Sequence, residues 1–205
     1  MMHPREAERA QRERMAVFYE RARSPVMRDI ERLVCGCDYG ASSWTTRAEA
    51  NVLSEMLGLK PGDHLLDVGA GSGWPGLYMA SQRGCDVTLV DLPLAGLRIA
   101  SRRALLDHNV DRCSVTVADA AQLPFGLATF DALSHSDLLC CLMDKQAALE
   151  SCRQVLRVSG RMALTVISLA TGLTALQKAR AIEAGPLFVE APMAYPELLK
   201  VTGWR

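Results

Sequence analysis

Strand-like and helix-like patterns of hydrophobic residues alternate along most of the chain. Short apolar runs bounded by turn residues predict strands at 64–68, 86–90, 113–118, 130–134 and 161–168. Apolar residues at helical spacing predict the helices between them, at 75–83, 94–108 and 145–157. Because such alternation requires crossover connections within a parallel sheet, it predicts an α/β fold in the form of a three-layer αβα sandwich.

The first 45 residues have helical patterns and no strand pattern. Residues 6–23 are rich in Arg and Glu and predict an amphipathic helix with Val17 and Phe18 on its apolar side. Pro25 begins a second predicted helix, which Gly36 ends. Four apolar residues recur at helical spacing within it: Val26, Ile30, Leu33 and Val34. This part of the chain is therefore expected to form a helical extension that precedes the sheet.

Capping residues mark a third helix before the first strand. Thr46 and Glu49 have the spacing of a capping box, and Gly58 follows as the stop signal. Four apolar residues of this helix are expected to be buried: Val52, Leu53, Met56 and Leu57. Near the other end of the chain, we expect an irregular segment at 169–192 and a helix at 195–202.

Composition limits the classes of partner. The chain has 205 residues, of which 49% are hydrophobic, which is enough for one core. Lys plus Arg and Asp plus Glu both number 23, so no net charge attracts nucleic acid or an anionic membrane. Without an apolar leader or a membrane-length apolar stretch, we expect a soluble, cytoplasmic protein whose seven cysteines are reduced.

A glycine-rich turn follows the first predicted strand. Its glycines Gly71, Gly73 and Gly76 fit the dinucleotide pattern G-x-G-x-x-G, and Asp91 lies near the distance expected for a ribose contact. Asp67, however, ends the strand just before the turn, and its charge would repel a pyrophosphate while suiting a cofactor with a cationic amino-acid end. Pro75 also removes one N–H donor from the helix start. An NAD-binding oxidoreductase is therefore the weaker alternative.

Five segments in order resemble the motifs of the class I S-adenosylmethionine (SAM)-dependent methyltransferases. They are Asp67–Gly73, Val87–Asp91, Val115–Ala120 with the following Leu123–Phe125, Phe130–Leu133, and Val155–Ile167. The similarity covers residues from about 38 to the end of the chain. It implies a mainly parallel Rossmann-like sheet, SAM as cofactor and S-adenosylhomocysteine (SAH) as product.

The resemblance also implies which residues contact the cofactor. In that family the glycine turn passes under the methionine part of the cofactor. The acid at the end of the second strand, here Asp91, holds the ribose hydroxyls, and the acid at the end of the third strand, here Asp119, contacts the adenine amine. The candidate cofactor-binding residues are Asp67, Gly69, Ala70, Gly71, Gly73, Asp91, Leu92, Asp119, Ala120, Ser134, His135, Tyr39 and Trp44. As acids at strand ends, Asp91 and Asp119 would also suit helix caps or turns.

The segment after the fourth strand reaches the acceptor in this family. His135 is the candidate general base because its unperturbed pKa lies near neutrality, although a packing role explains it equally well. Asp137 is a weaker candidate. The segment lacks the Pro-Pro-aromatic and Pro-Cys motifs of enzymes that methylate nucleic acids. A small-molecule acceptor and no metal are therefore expected, and a metalloid acceptor held by thiols such as Cys140 is a minor alternative.

The resemblance suggests a division into a helical lid at 1–45, which includes Tyr39 and Trp44, and a cofactor-binding domain at 46–205. The family's last two strands, a β-hairpin at the sheet edge, have no counterpart before Arg205. Either the chain is truncated or a partner chain covers the edge, which would favour a homo-oligomer. The sequence leaves open a non-catalytic regulatory or scaffold role, and it does not identify the acceptor atom.

Overall fold

The structure is a computed structural model that describes residues 4–40 and 43–205. The helices are α1 (Pro4–Ala22), α2 (Pro25–Cys35), α3 (Arg47–Leu57), α4 (Gly76–Arg83), α5 (Leu94–Leu106), α6 (Lys145–Val155), α7 (Ala175–Ala184) and α8 (Tyr195–Val201). The strands are β1 (His64–Val68), β2 (Asp86–Asp91), β3 (Cys113–Val117), β4 (Phe130–Ser136) and β5 (Leu156–Thr165). Positions 41 and 42 of the loop before α3 lie outside the described residues. Nowhere in the described ranges is a helix both long and apolar enough to cross a membrane.

The five strands form one parallel sheet in the order β3-β2-β1-β4-β5. At its centre, Asp67 of β1 pairs with Leu89 of β2 on one side and Ser134 of β4 on the other. Helices α3, α4 and α5 pack on one face through residues such as Leu53 and Leu77, and α6 packs on the other face. The predicted three-layer αβα sandwich is confirmed. Because the strands are parallel and β1 lies between β2 and β4, the carboxyl ends of these three strands meet at one edge of the sheet.

Local capping signals are confirmed where they were predicted. Ser24 caps α2, which begins at Pro25, and Gly36 ends it in the left-handed conformation. Thr46 and Glu49 form both hydrogen bonds of a capping box at the start of α3, which ends at Gly58. These signals were readable because each depends on residues within a few positions of one another.

Strand β4 is longer than predicted. It continues through His135 and Ser136 because these residues pair with Leu164 and Thr165 of β5. The prediction ended this strand at residue 134. Strand β5 also begins earlier, at Leu156, directly after α6.

The first three helices do not bury all of the apolar residues that recur at helical spacing. Helix α1 packs against α5 and buries Tyr19, while Val17 and Phe18 are exposed. Helix α2 exposes its four regularly spaced apolar residues and buries Glu31 and Cys35 instead. In α3, Leu53 and Leu57 are buried as predicted, whereas Val52 and Met56 are exposed. Helical spacing alone does not decide which of two adjacent faces meets the sheet.

The segment predicted to be irregular contains α7. Thr174 and Gln177 form a capping box at its start, but none of its residues is buried. Its hydrophobic residues therefore add little to the core. The predicted terminal helix is confirmed as α8, whose Leu198 is fully buried.

The two capping boxes provide a test of how far each helix contributes to global stability. Thr46→Ala should lower the free energy of unfolding by about 1 kcal/mol, since the lost cap begins a helix packed on the sheet. Thr174→Ala removes the same hydrogen bonds from α7, which buries no residue, so its effect should be clearly smaller. Denaturant titration of both variants measures the difference. Equal losses would contradict the packing described here.

Candidate functional site

The turn after β1 is folded back onto the end of β2. Gly69, Gly71 and Gly73 all have positive φ values, which glycine adopts without a steric penalty. The N–H groups of Gly69 and Ala70 donate to the carbonyl of Val90 at 2.7 and 2.9 Å. The turn therefore has a fixed position over the carboxyl end of the sheet.

Asp91 binds this turn through its side-chain carboxylate. Its Oδ2 accepts hydrogen bonds from the Gly71 N–H at 2.8 Å and from the Tyr19 hydroxyl at 3.3 Å, and its Oδ1 accepts one from the Leu92 N–H at 2.8 Å. Burial nevertheless raises the pKa of Asp91 to about 6, because these neutral donors only partly replace water. The site thus contains a carboxylate whose charge is incompletely compensated.

Asp67 lies under the turn rather than in the open part of the site. It is 1% exposed, its Oδ1 accepts a hydrogen bond from the Ser134 hydroxyl at 2.6 Å, and its Oδ2 lies against Gly76. A Cβ at Gly76 would be only 2.3 Å from that Oδ2. Burial raises the pKa of Asp67 to about 7, and the nearby Asp91 charge adds to the increase. Asp67 therefore does not line the open part of the site, where the prediction of a direct ligand contact would place it.

A cavity of about 260 Å³ opens at the carboxyl ends of the strands. Four of the predicted site residues line it: Gly69, Asp91, Leu92 and Asp119. The others do not: Ala70, Gly71, Gly73, Ala120, Ser134 and His135, together with Tyr39, Trp44 and Asp67. Gly71 still contributes through its hydrogen bond to Asp91.

His135 is enclosed in the sheet and does not reach the cavity. It is 1% exposed, and neither ring nitrogen has a hydrogen-bond partner among the described residues. Burial lowers the pKa of His135 to about 4, so its ring is neutral at physiological pH. The reason is the extension of β4, which places Ser134 and His135 inside the strand and brings Ser136 and Asp137 to its end.

Tyr39 and Trp44 also lie away from the cavity. The ring of Tyr39 packs 5.2 Å from that of Trp74 and lies 4.3 Å below the Arg103 guanidinium carbon. Trp44 is 66% exposed. Both residues belong to the attachment of the N-terminal segment, so their predicted contact with a cofactor is not supported.

Helix α1, which lies within the predicted helical lid at 1–45, forms one wall of the cavity. Gln11, Arg12, Met15 and Tyr19 line the cavity. Three of them, Gln11, Met15 and Tyr19, are spaced four residues apart, so they share one face of the helix. The four-residue spacing is present in the sequence, but the adjacent hydrophobic residues 17 and 18 gave the stronger signal and pointed to a different face of the helix.

The opposite wall is largely apolar and is fixed by a buried lysine. Leu142, Met143 and Phe188 belong to this wall. The ammonium group of Lys145 donates to the carbonyls of Leu142 at 2.7 Å and Phe188 at 2.8 Å, and burial lowers its pKa. Lys145 thereby holds two segments of the wall together.

Carboxylates outnumber cations around the cavity. Asp91, Asp119, Asp137 and Asp144 line it, and within the described residues Arg12 is the one basic side chain that does. Asp137 accepts hydrogen bonds from the Ser43 hydroxyl and the Trp44 N–H, both at 3.2 Å. The arrangement disfavours a polyanionic ligand and favours one that carries donors or positive charge.

Comparison with known proteins places this geometry in context. Residues 66–164 match a family model described as a methyltransferase domain. A 27-O-demethylrifamycin SV methyltransferase from Amycolatopsis mediterranei (strain S699) is 35% identical over 112 residues, which are 55% of this chain and 41% of that protein. The chain thus spans less than half the length of this relative.

Solved structures show the same fold. A geranyl diphosphate methyltransferase in complex with SAM has a TM-score of 0.65 at 23% identity and covers 76% of this chain and 63% of its own. The cyclase SpnF has a TM-score of 0.66 at 24% identity, with coverages of 79% and 60%. The solved structures with this fold therefore include one protein named as a methyltransferase and one named as a cyclase.

The burial of His135 predicts a pH effect on stability. Its pKa in the folded chain, about 4, is below the ordinary 6.5, so the unfolded chain binds more protons between these values. Stability from this residue should therefore decrease as the pH falls from about 6.5 to about 4, by roughly 3 kcal/mol in total.

Comparison with His135→Leu isolates this effect. Asp67 and Asp91 have raised pKa values and so act in the opposite direction, but they are present in both proteins. Unfolding free energies measured from pH 7 to pH 4 should show a smaller acid-induced loss in the variant. Parallel pH profiles would show that His135 is not buried in its neutral form.

Proposed function

We propose that this chain is a class I SAM-dependent methyltransferase, which binds SAM in the cavity and transfers its methyl group to a small-molecule acceptor. The observation that carries the proposal is the half-buried, incompletely compensated carboxylate of Asp91 beside the glycine turn. This arrangement suits hydroxyl donors and a cationic ligand.

The residues present fit SAM better than NAD. The Gly71 N–H, which a pyrophosphate would need as a donor, is already bound to the Asp91 carboxylate. Asp67 lies under the same turn, and because burial raises its pKa to about 7, a further anion nearby would oppose its ionisation. Ribose hydroxyls and positive charge would relieve Asp91, which lines the cavity, whereas a pyrophosphate would add repulsion. In this proposal Asp91 binds the ribose and Asp119 the adenine amine.

SAM supplies a methyl group on an activated sulfonium, so the chain's own residues mainly need to align the reactants and exclude water. Helix α1 covers the cavity from one side through Met15 and Tyr19. Lys145 fixes the apolar wall on the other side. With His135 enclosed in the sheet, Asp137 becomes the candidate to accept a proton from the acceptor, because it lies on the cavity wall.

The apolar wall supports a largely apolar, uncharged acceptor. The demethylrifamycin relative is named for an O-methylation, and a hydroxyl acceptor is therefore our first choice. The balanced charge of the chain supports a small molecule over a nucleic acid. The helical cover at 1–45, a cytoplasmic location and a homo-oligomer remain predictions.

Cofactor titration tests the assignment. SAM and SAH should bind, and NAD should not. Asp91→Ala should weaken SAH binding by on the order of 1.5–3 kcal/mol for each charged hydrogen bond that is lost. Asp86→Ala, at the exposed opposite end of β2, should leave the affinity unchanged. Calorimetry measures all of these values, and tight NAD binding or an unaltered Asp91 variant would overturn the assignment.

Catalysis is tested separately from binding. With hydroxyl-bearing apolar acceptors, the chain should convert SAM to SAH in step with methylation of the acceptor, which mass spectrometry detects. Tight cofactor binding without turnover of any acceptor would favour the alternative of a regulatory or scaffold domain.

A further inference from the structure

Two polar side chains on the cavity walls have unpartnered atoms. Gln11 on α1 is 8% exposed and Ser136 at the end of β4 is 9% exposed. Neither Oε1 of Gln11 nor Oγ of Ser136 has a hydrogen-bond partner in the part of the chain that the structure describes. Because an unsatisfied buried polar atom is costly, native proteins rarely keep one without a reason.

Their position distinguishes them from the other unpartnered buried atoms. Among the described residues, such atoms also occur in Asp67, Ser72, His135, Tyr195 and Trp204. None of these five residues lines the cavity, whereas Gln11 and Ser136 both do. A molecule in the cavity is therefore a natural partner for these two side chains.

Both side chains lie beside residues assigned to the cofactor. Asp67 pairs with Ser134 across β1 and β4, and two residues further along each chain segment come Gly69, the first glycine of the turn, and Ser136, the last residue of β4; both line the cavity. Gln11 is two helical turns before Tyr19, on the same face of α1, and the Tyr19 hydroxyl contacts Asp91. The two side chains thus extend the cofactor cradle on two of its walls.

We propose that Gln11 and Ser136 are additional cofactor-binding residues, whose side chains complete their hydrogen bonds when SAM or SAH binds. This inference rests on the proposed function. The amide oxygen of Gln11 requires a donor, and the Ser136 hydroxyl can donate or accept. The cofactor offers donors in its adenine amine, ribose hydroxyls and ammonium group. The proposal also moves the predicted contacts on β4 from Ser134 and His135 to Ser136.

The test compares cofactor affinity with the stability of the ligand-free chain. Gln11→Met keeps the length of the side chain without its polar atoms, and Ser136→Ala removes only the hydroxyl. Each variant should bind SAH about 3- to 10-fold more weakly by calorimetry. Each should unfold at the same temperature as the wild type or a higher one, since an unsatisfied buried group has been removed.

Tyr195→Phe is the matched control. It removes a hydroxyl that is also buried and unpartnered but lies outside the cavity, so SAH affinity should not change. Unchanged SAH affinity in Gln11→Met and Ser136→Ala would overturn the inference. So would a lower unfolding temperature in parallel with the weaker binding, because that result indicates a structural role. A wild-type chain that bound no SAH would contradict the proposed function itself.

Discussion

The carboxylate of Asp91 is the interaction on which the site depends. It joins the end of β2, where it accepts a hydrogen bond from the adjacent Leu92 N–H, to two parts of the chain that are distant in sequence, since the glycine turn and helix α1 each donate a hydrogen bond to it. These bonds fix the turn over the sheet and bring α1 across the opening. Without this carboxylate, the glycine turn and helix α1 would no longer be hydrogen-bonded to the same residue.

The arrangement leaves negative charge at the site. Asp67 is buried and Asp91 is half-buried, neither forms an ion pair within the described ranges, and desolvation raises the pKa of each. The ionised form of Asp91 is therefore less favourable in the empty cavity than beside a ligand that offers donors or positive charge. We interpret this uncompensated charge as the feature that selects a cofactor with donors and positive charge over a dinucleotide.

Much of the fold could be predicted because it depends on local sequence. The alternation of strands and helices, the caps at Thr46 and Gly58, and the acids at the ends of strands all reflect short-range patterns. The three acids that were predicted to contact the cofactor do not all line the cavity, however. Asp91 and Asp119 line the cavity, whereas Asp67 turns inward to Ser134, a residue 67 positions away.

The other differences between prediction and structure occur where contacts between residues distant in sequence determine which side chains are buried. His135 is in a polar stretch that looks like a loop, yet its pairing with Leu164 of β5 makes it a buried strand residue. The face of α1 that covers the cavity was missed because contact with α5, and not local hydrophobicity, determines it. Sequence patterns therefore located the site at the strand ends but did not identify which side chains enclose it.

Proton release on cofactor binding tests the central claim most directly. If SAM or its product binds to the ionised form of Asp91, binding lowers the pKa of that carboxyl group from about 6. At pH 6 this should release on the order of half a proton per chain, and Asp91→Asn should abolish most of the release. Calorimetry of SAM binding in two buffers with different ionisation enthalpies measures this quantity. Binding at pH 6 without any linked proton would contradict the account.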